Sequence, residues 1–198
     1  MKKIFSLLLV AFSTSVFAQQ KPAFKPHFLN MTEFGGLFGR VVYDVNNWNG
    51  TFREEVANRL SFTLQTFNGV RLKPRLAVGA TVGVDWYKTA LIMPVAAGVR
   101  YDLAKNSTKQ SAFFASLDAG YGIGSFHANA TDYTTSGGLM VSPGVGFRIG
   151  LKSESALLIS LSYKHQQVQV TKPLGWGEIE KYENRVYNRM AFRIGVSF

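Results

Sequence analysis

The chain has 198 residues, of which 46% are hydrophobic, 14% aromatic and 17% charged, with a formal net charge of +10 and no cysteine. This is too apolar for a disordered chain and poorer in charge than soluble domains, where about 25% of residues are charged. Without cysteine there is no disulfide framework, thiol nucleophile or cysteine-bound metal, and the 22 basic residues form no run or stripe of the kind that marks a nucleic-acid binder.

Lys2 and Lys3 open the chain, an apolar run follows from Ile4 to Phe12, and small residues lead to Ala18. This layout predicts a secretory signal peptide over residues 1–18, leaving Gln19 as the new N-terminus. The apolar run is shorter than the ~20 residues a spanning helix needs. Removing the two lysines lowers the formal charge to 10 − 2 = +8.

Beyond residue 27 the pattern is alternation with a period of two, the mark of strands with two unlike faces. Eight segments show it, at roughly 28–43, 55–72, 75–87, 91–104, 111–126, 138–152, 155–170 and 183–198. In the first, Gly35-Gly36 suggests a bulge that would shift the register. The second sets Leu60, Phe62 and Leu64 against Arg59, Ser61, Thr63 and Gln65. The third sets Val78, Val82, Val84 and Trp86 against Gly79, Thr81, Gly83 and Asp85. Val95, Val99 and Tyr101 oppose Gly98, Arg100 and Asp102 in the fourth, and Leu117 and Tyr121 oppose Asp118 and Gly120 in the fifth. The sixth and seventh give Val145 and Phe147 against Gly146 and Arg148, then Leu161 and Tyr163 against Ser162 and Lys164. The last sets Met190, Phe192, Ile194, Val196 and Phe198 against Arg189, Ala191, Arg193, Gly195 and Ser197.

Each segment reaches the ~9–11 tilted residues with which a strand crosses a bilayer. Short turns at 73–74, 104–110 and 152–154 alternate with longer polar loops at 44–54, 127–137 and 171–182, with one brief exception at 88–90. That asymmetry predicts an eight-stranded antiparallel up-and-down transmembrane barrel over residues 28–198, with short turns on the periplasmic side and long loops outside. Residues 19–27 then form a short periplasmic extension.

The small residues decide which face is inside. Gly79, Gly98, Gly120, Gly146 and Gly195 would leave a water-facing sheet bare, whereas the lumen of eight strands has room for little else. The same face carries Glu33, Arg59, Asp85, Arg100, Asp102, Asp118, Arg148, Lys164, Arg185, Arg189 and Arg193. Ions there must be paired or wetted, because desolvating one alone costs several kcal/mol. Arg189 and Arg193 are expected within reach of Glu33 across the closing seam, and Asp118 near Arg100 and Arg148. Tyr43, Trp48, Trp86, Tyr87, Tyr133, Trp176 and Tyr182 are expected to form the outer interfacial girdle, with Phe28, Phe113 and Phe198 at the other rim.

The closing stretch NRMAFRIGVSF, alternating and ending in Phe, resembles the terminal strand of outer-membrane proteins. The chain is similar over residues 28–198 to small eight-stranded barrels of the OmpA-domain or OmpX type, the outer-membrane β-barrel domain family. The resemblance implies location in the outer membrane, contact with its lipid and lipopolysaccharide, and recognition of Phe192, Ile194, Val196 and Phe198 by the barrel-assembly machinery. No cell-wall-binding domain is expected after Phe198.

Some barrels of this size are enzymes acting on lipid A. Those that deacylate it carry His and Ser two apart on a lipid-facing strand; here His165 is followed two residues on by Gln167. His127 has Ser125 and Asp132 nearby, but no spacing singles them out. His27, His127 and His165 are too scattered for a metal site, and no cofactor is expected. Two classes of function remain. One is a charge-plugged structural or interaction protein that presents loops 44–54, 127–137 and 171–182 to an unknown protein partner. The other is a small channel favouring anionic or small polar solutes; a lipid A-modifying enzyme ranks below both.

Overall fold

A computed structural model describes residues 24–46, 52–87, 91–106, 111–125, 134–151, 155–174 and 178–198. Within these spans, the side chains of 40–46, 52–59, 125, 134–135, 170–174 and 178–185 are outside the description. The predicted signal peptide, residues 1–18, also lies outside it.

The strands are β1 (His27–Asn46), β2 (Phe52–Lys73), β3 (Leu76–Trp86), β4 (Leu91–Asn106), β5 (Ser111–Ser125), β6 (Thr134–Ser136), β7 (Gly138–Gly150), β8 (Ala156–Leu174) and β9 (Glu178–Ser197). Neighbours pair antiparallel in the ring β1-β2-β3-β4-β5-β7-β8-β9, and β9 returns to β1 from Met31↔Ser197 to Tyr43↔Arg185. The short β6 pairs with β8 alone, just before β7 begins. The result is the expected closed eight-stranded barrel, each strand of the ring hydrogen-bonded to a neighbour on both sides.

The alternation fixes the two faces as the sequence implied. Leu60 and Phe62 are 61% and 69% exposed, while Ser61 and Thr63 between and beside them are buried. On β9, Met190, Phe192, Ile194 and Val196 point outward, as does Phe198 just past it, and Arg189, Ala191, Arg193 and Ser197 are buried. Polar outward groups satisfy one another. Asn30 donates to Thr66 Oγ1 at 3.1 Å and Asn68 Oδ1 at 2.6 Å, and accepts from Thr32 at 3.0 Å. In lipid this local pairing replaces the water such groups would otherwise need.

Three expectations are corrected. The register of β1 runs unbroken past Gly35-Gly36 against both β2 and β9, so no bulge forms and Glu33 points inward. Bulges lie instead at Arg71/Lys73, Asp102/Ala104 and Lys172/Leu174, near strand ends where re-aiming the chain disturbs few ladder bonds. The predicted loops 44–54 and 171–182 are mostly strand, because β1 continues to Asn46, β2 starts at Phe52, β8 runs to Leu174 and β9 starts at Glu178. Beyond the bilayer both faces of a hairpin meet water, so the hydrophobic period fades while the backbone ladder continues. Of the 127–137 loop, Thr134–Ser136 is strand.

Candidate functional site

The inward side chains fill the lumen in four layers. At the end where β1 begins and β9 ends, Arg71 on β2 and Arg148 on β7 converge on Asp102 of β4. Arg71 Nη1 donates to Asp102 Oδ2 at 2.7 Å and Arg148 Nη2 to the same oxygen at 2.8 Å. Arg71 Nη1 also donates to the carbonyl of Pro74 at 3.2 Å. Arg71 was not among the expected charges, although it continues the odd-numbered inward series of β2.

Above this cluster lies an apolar layer of Leu29, Met31, Phe67, Ala77, Phe114 and Leu158, all buried. The two phenylalanines fit here because adjoining positions are glycine. A Cβ on Gly146 would sit 2.4 Å from Phe114 Cζ, and one on Gly69 would sit 2.6 Å from Phe67 Cζ.

The third layer is ionic. Arg100 grips Asp118 with both ends of its guanidinium, Nη1 to Oδ1 at 2.9 Å and Nη2 to Oδ2 at 3.1 Å, and Thr81 Oγ1 donates to Oδ1 at 2.5 Å. The guanidinium carbon lies 4.4 Å from the centroid of the Phe67 ring, a cation–π contact that ties this layer to the one below. Lys164 pairs with Asp85 from the opposite wall, and Thr63 Oγ1 donates to Asp85 Oδ1 at 2.7 Å. Asp85 is fully buried. Fork-shaped, charge-assisted geometry of this kind lets buried ions recover part of what desolvation costs them.

Glu33 lies within coulombic range of Arg193 and is held by neutral donors. Its carboxylate accepts from Ser160 Oγ at 2.5 Å and from Gln65 Nε2 at 2.9 Å, while Arg193 Nη1 donates to Ser162 Oγ at 2.8 Å. Among the described residues no direct ion pair joins Glu33 to Arg193. Glu33 sits opposite Gly195, whose Cβ would lie 2.9 Å from Glu33 Cγ. That vacancy lets the carboxylate pass β9 and reach β8. Arg148 likewise takes Asp102 and not Asp118, because Asp118 pairs with Ser142 and Arg148 with Ala112, six residues along each strand.

Gly98 holds the space for the Arg100–Asp118 pair. A Cβ there would stand 2.6 Å from Asp118 Oδ1 and 3.0 Å from Phe67 Cδ2. Gly98→Val is therefore expected to destabilise the barrel by about 1–3 kcal/mol, the usual cost of overpacking, read as a shift in the urea midpoint of the refolded protein.

The outermost described layer is apolar again and comprises Leu37, Tyr87, Ile92, Val168, Tyr187 and Ala191. Tyr87 was expected at the membrane interface; it is buried in the lumen, its ring 4.6 Å from that of Tyr187. Trp86 keeps the outward parity and is exposed, so its neighbour in sequence must turn inward. The Arg189 guanidinium lies 5.5 Å from the Tyr87 ring and 5.8 Å from Tyr187. Gln166, fully buried, donates through Nε2 to the carbonyls of Gly138 at 3.0 Å and Gln167 at 2.8 Å, sealing the wall where β7 begins.

The remaining expected residues fall as follows. Arg59 and Arg185 lie on paired stretches of β2 and β9, opposite Gly39 and Tyr43, and their side chains are outside the description, as are those of Tyr43 and Tyr182. Trp48, Tyr133 and Trp176 are outside the described residues altogether, as are His127 and Asp132. His165 faces outward with Nδ1 2.7 Å from Asn188 Oδ1, which also accepts from the Tyr163 hydroxyl at 3.0 Å. Among the described residues no three His, Asp or Glu side chains come together as a metal site would require.

No family profile matches the chain, and no curated protein does. Solved structures do match. OprG, the outer membrane protein of Pseudomonas aeruginosa, superposes with a TM-score of 0.65 at 10% identity over 86% of this chain and 93% of its own. Neisserial surface protein A superposes with a TM-score of 0.52 at 12% identity over 88% of this chain and 98% of its own. At these identities the likeness is one of fold. The chain is an eight-stranded β-barrel of outer-membrane architecture, built with an apolar exterior and a polar, side-chain-filled interior.

Proposed function

We propose that the protein is a structural or interaction barrel of the outer membrane, with no catalytic role, that holds a closed lumen and presents its outer hairpins to a protein partner. The observation that carries this reading is the pair of apolar layers above and below the central ions. Leu158 and Phe67 in one, and Leu37 and Ile92 in the other, are fully buried. Ions crossing such layers would lose their water without gaining partners. The extended β1–β2 and β8–β9 hairpins supply the surface offered to the partner, and the outward Phe192, Ile194, Val196 and Phe198 the stretch offered to the assembly machinery.

Planar bilayers containing the purified barrel are expected to show no discrete conductance steps. Steady steps with anion selectivity would favour the channel reading instead, for which the excess of inward bases over acids speaks. Arg193→Ala separates the two further: it is expected to weaken the folded barrel in the closed reading and to reduce anion selectivity in the channel.

A further inference from the structure

At the end of the barrel where β1 begins and β9 ends, the side chains of the described residues Lys25, Arg71, Lys73, Arg75, Lys105 and Arg148 stand against one acidic side chain, Asp102, a side-chain excess of 6 − 1 = +5. Three of these cations, Arg71, Lys105 and Arg148, line an opening. The mouth is a basin of ≈ 800 Å³ lined by Arg71, Arg148, Lys105 and His27, with Phe28 and Phe198 at its edge. Asp102 uses a single oxygen, Oδ2, to hold both guanidiniums. One carboxylate therefore answers two buried or nearly buried cations, and Lys105 adds a third charge. Among the described residues Arg71 makes its bonds through Nη1 and Arg148 through Nη2, so each guanidinium has a further edge that Asp102 does not occupy.

A guanidinium pair with free edges fits the fork of a phosphate, which two planar donors can hold at once. The basin is larger than a bare ion requires, and its edge is marked by the exposed rings of Phe28 and Phe198, which face the lipid side. We propose that this mouth is a binding site for a phosphate-ester anion, with Arg71 and Arg148 on the phosphate oxygens, Lys105 as the neutralising charge above them, and the two phenylalanines beside any apolar tail. The phosphate reaches the site either on the headgroup of an inner-leaflet phospholipid or as a soluble species.

Native mass spectrometry of the barrel in nonionic detergent distinguishes these sources, using phosphatidylglycerol, zwitterionic phosphatidylcholine and inorganic phosphate as probes. The expected result is retention of phosphatidylglycerol about tenfold more tightly than phosphatidylcholine, with roughly tenfold loss in Arg148→Gln/Lys105→Ala, as two charge-assisted contacts would give. Inorganic phosphate displacing phosphatidylglycerol at equal affinity would support the site and assign it a soluble ligand. Lys105→Ala alone, an exposed side chain remote from the packed layers, is expected to cost about threefold and guards against misfolding of the double variant. Equal binding of both lipids with no phosphate bound, or unchanged phosphatidylglycerol binding in folded variants, overturns the proposal.

Discussion

Asp118→Ala is expected to destabilise the folded barrel by about 3–5 kcal/mol, the cost of stranding one partner of a buried ion pair. Asp118 is 3% exposed and Arg100 is 4% exposed, so water cannot readily take over the role of the lost carboxylate. The guanidinium would keep its contacts with Thr81 at 3.4 Å, the Val99 carbonyl at 3.1 Å and the Phe67 ring, none of which carries a negative charge. Reversible urea unfolding in lipid vesicles measures the loss. Replacing both partners together, Arg100→Met with Asp118→Leu, is expected to cost far less than the single change, because a buried pair exchanged for apolar groups of similar volume is often neutral. A loss below about 1 kcal/mol for Asp118→Ala, the range of exposed pairs, would mean that the central layer is wet, and would weaken the closed-lumen reading with it.

The neighbouring residue provides the opposite test. Leu117→Arg is expected to destabilise the barrel in lipid by about 2–4 kcal/mol, the range for a cation on the lipid face near mid-bilayer. Leu117 is 47% exposed and sits midway along β5. In a water-soluble protein the same exchange at an exposed site would change stability by about 0.5 kcal/mol or less. The measurement is the same unfolding assay, and a near-zero effect would remove the bilayer from around this face. Leu117 and Asp118, adjacent in sequence, thus report on opposite sides of the wall.

Most of the architecture is legible in the sequence because one simple variable, the parity of a residue along its strand, decides whether it meets lipid or lumen. Glu33, Asp85, Arg100, Asp102, Asp118, Arg148, Lys164, Arg189 and Arg193 all follow it inward. The pairing among them does not follow from parity. It depends on the stagger between strands, which sets Arg148 level with Ala112 and away from Asp118. Arg71 escaped because the inward series on β2 passes through Phe67 and Gly69, which interrupt the polar signal. The apolar layers do not follow from parity for a related reason: Met31, Phe67, Phe114 and Leu158 occupy positions where a narrow lumen favours small residues. Gly69 and Gly98 beside Phe67, and Gly146 beside Phe114, supply room for the two rings, and that compensation is visible only when register is known. Tyr87 reads as an interfacial aromatic from composition and as a lumen residue from parity, and parity is the stronger guide.

The bonds that cross the lumen join segments distant along the chain, 79 residues between Asp85 and Lys164 and 127 between Glu33 and Ser160. Such links close long loops of chain, so replacing Asp85 or Glu33 is expected to speed unfolding more than it slows folding, read from the two arms of a urea chevron. Interactions absent from the transition state slow escape from the native state while leaving the speed of its formation nearly unchanged. The buried ions would thus act chiefly as a latch on lifetime: once inserted, the barrel would persist far longer than its equilibrium stability alone suggests.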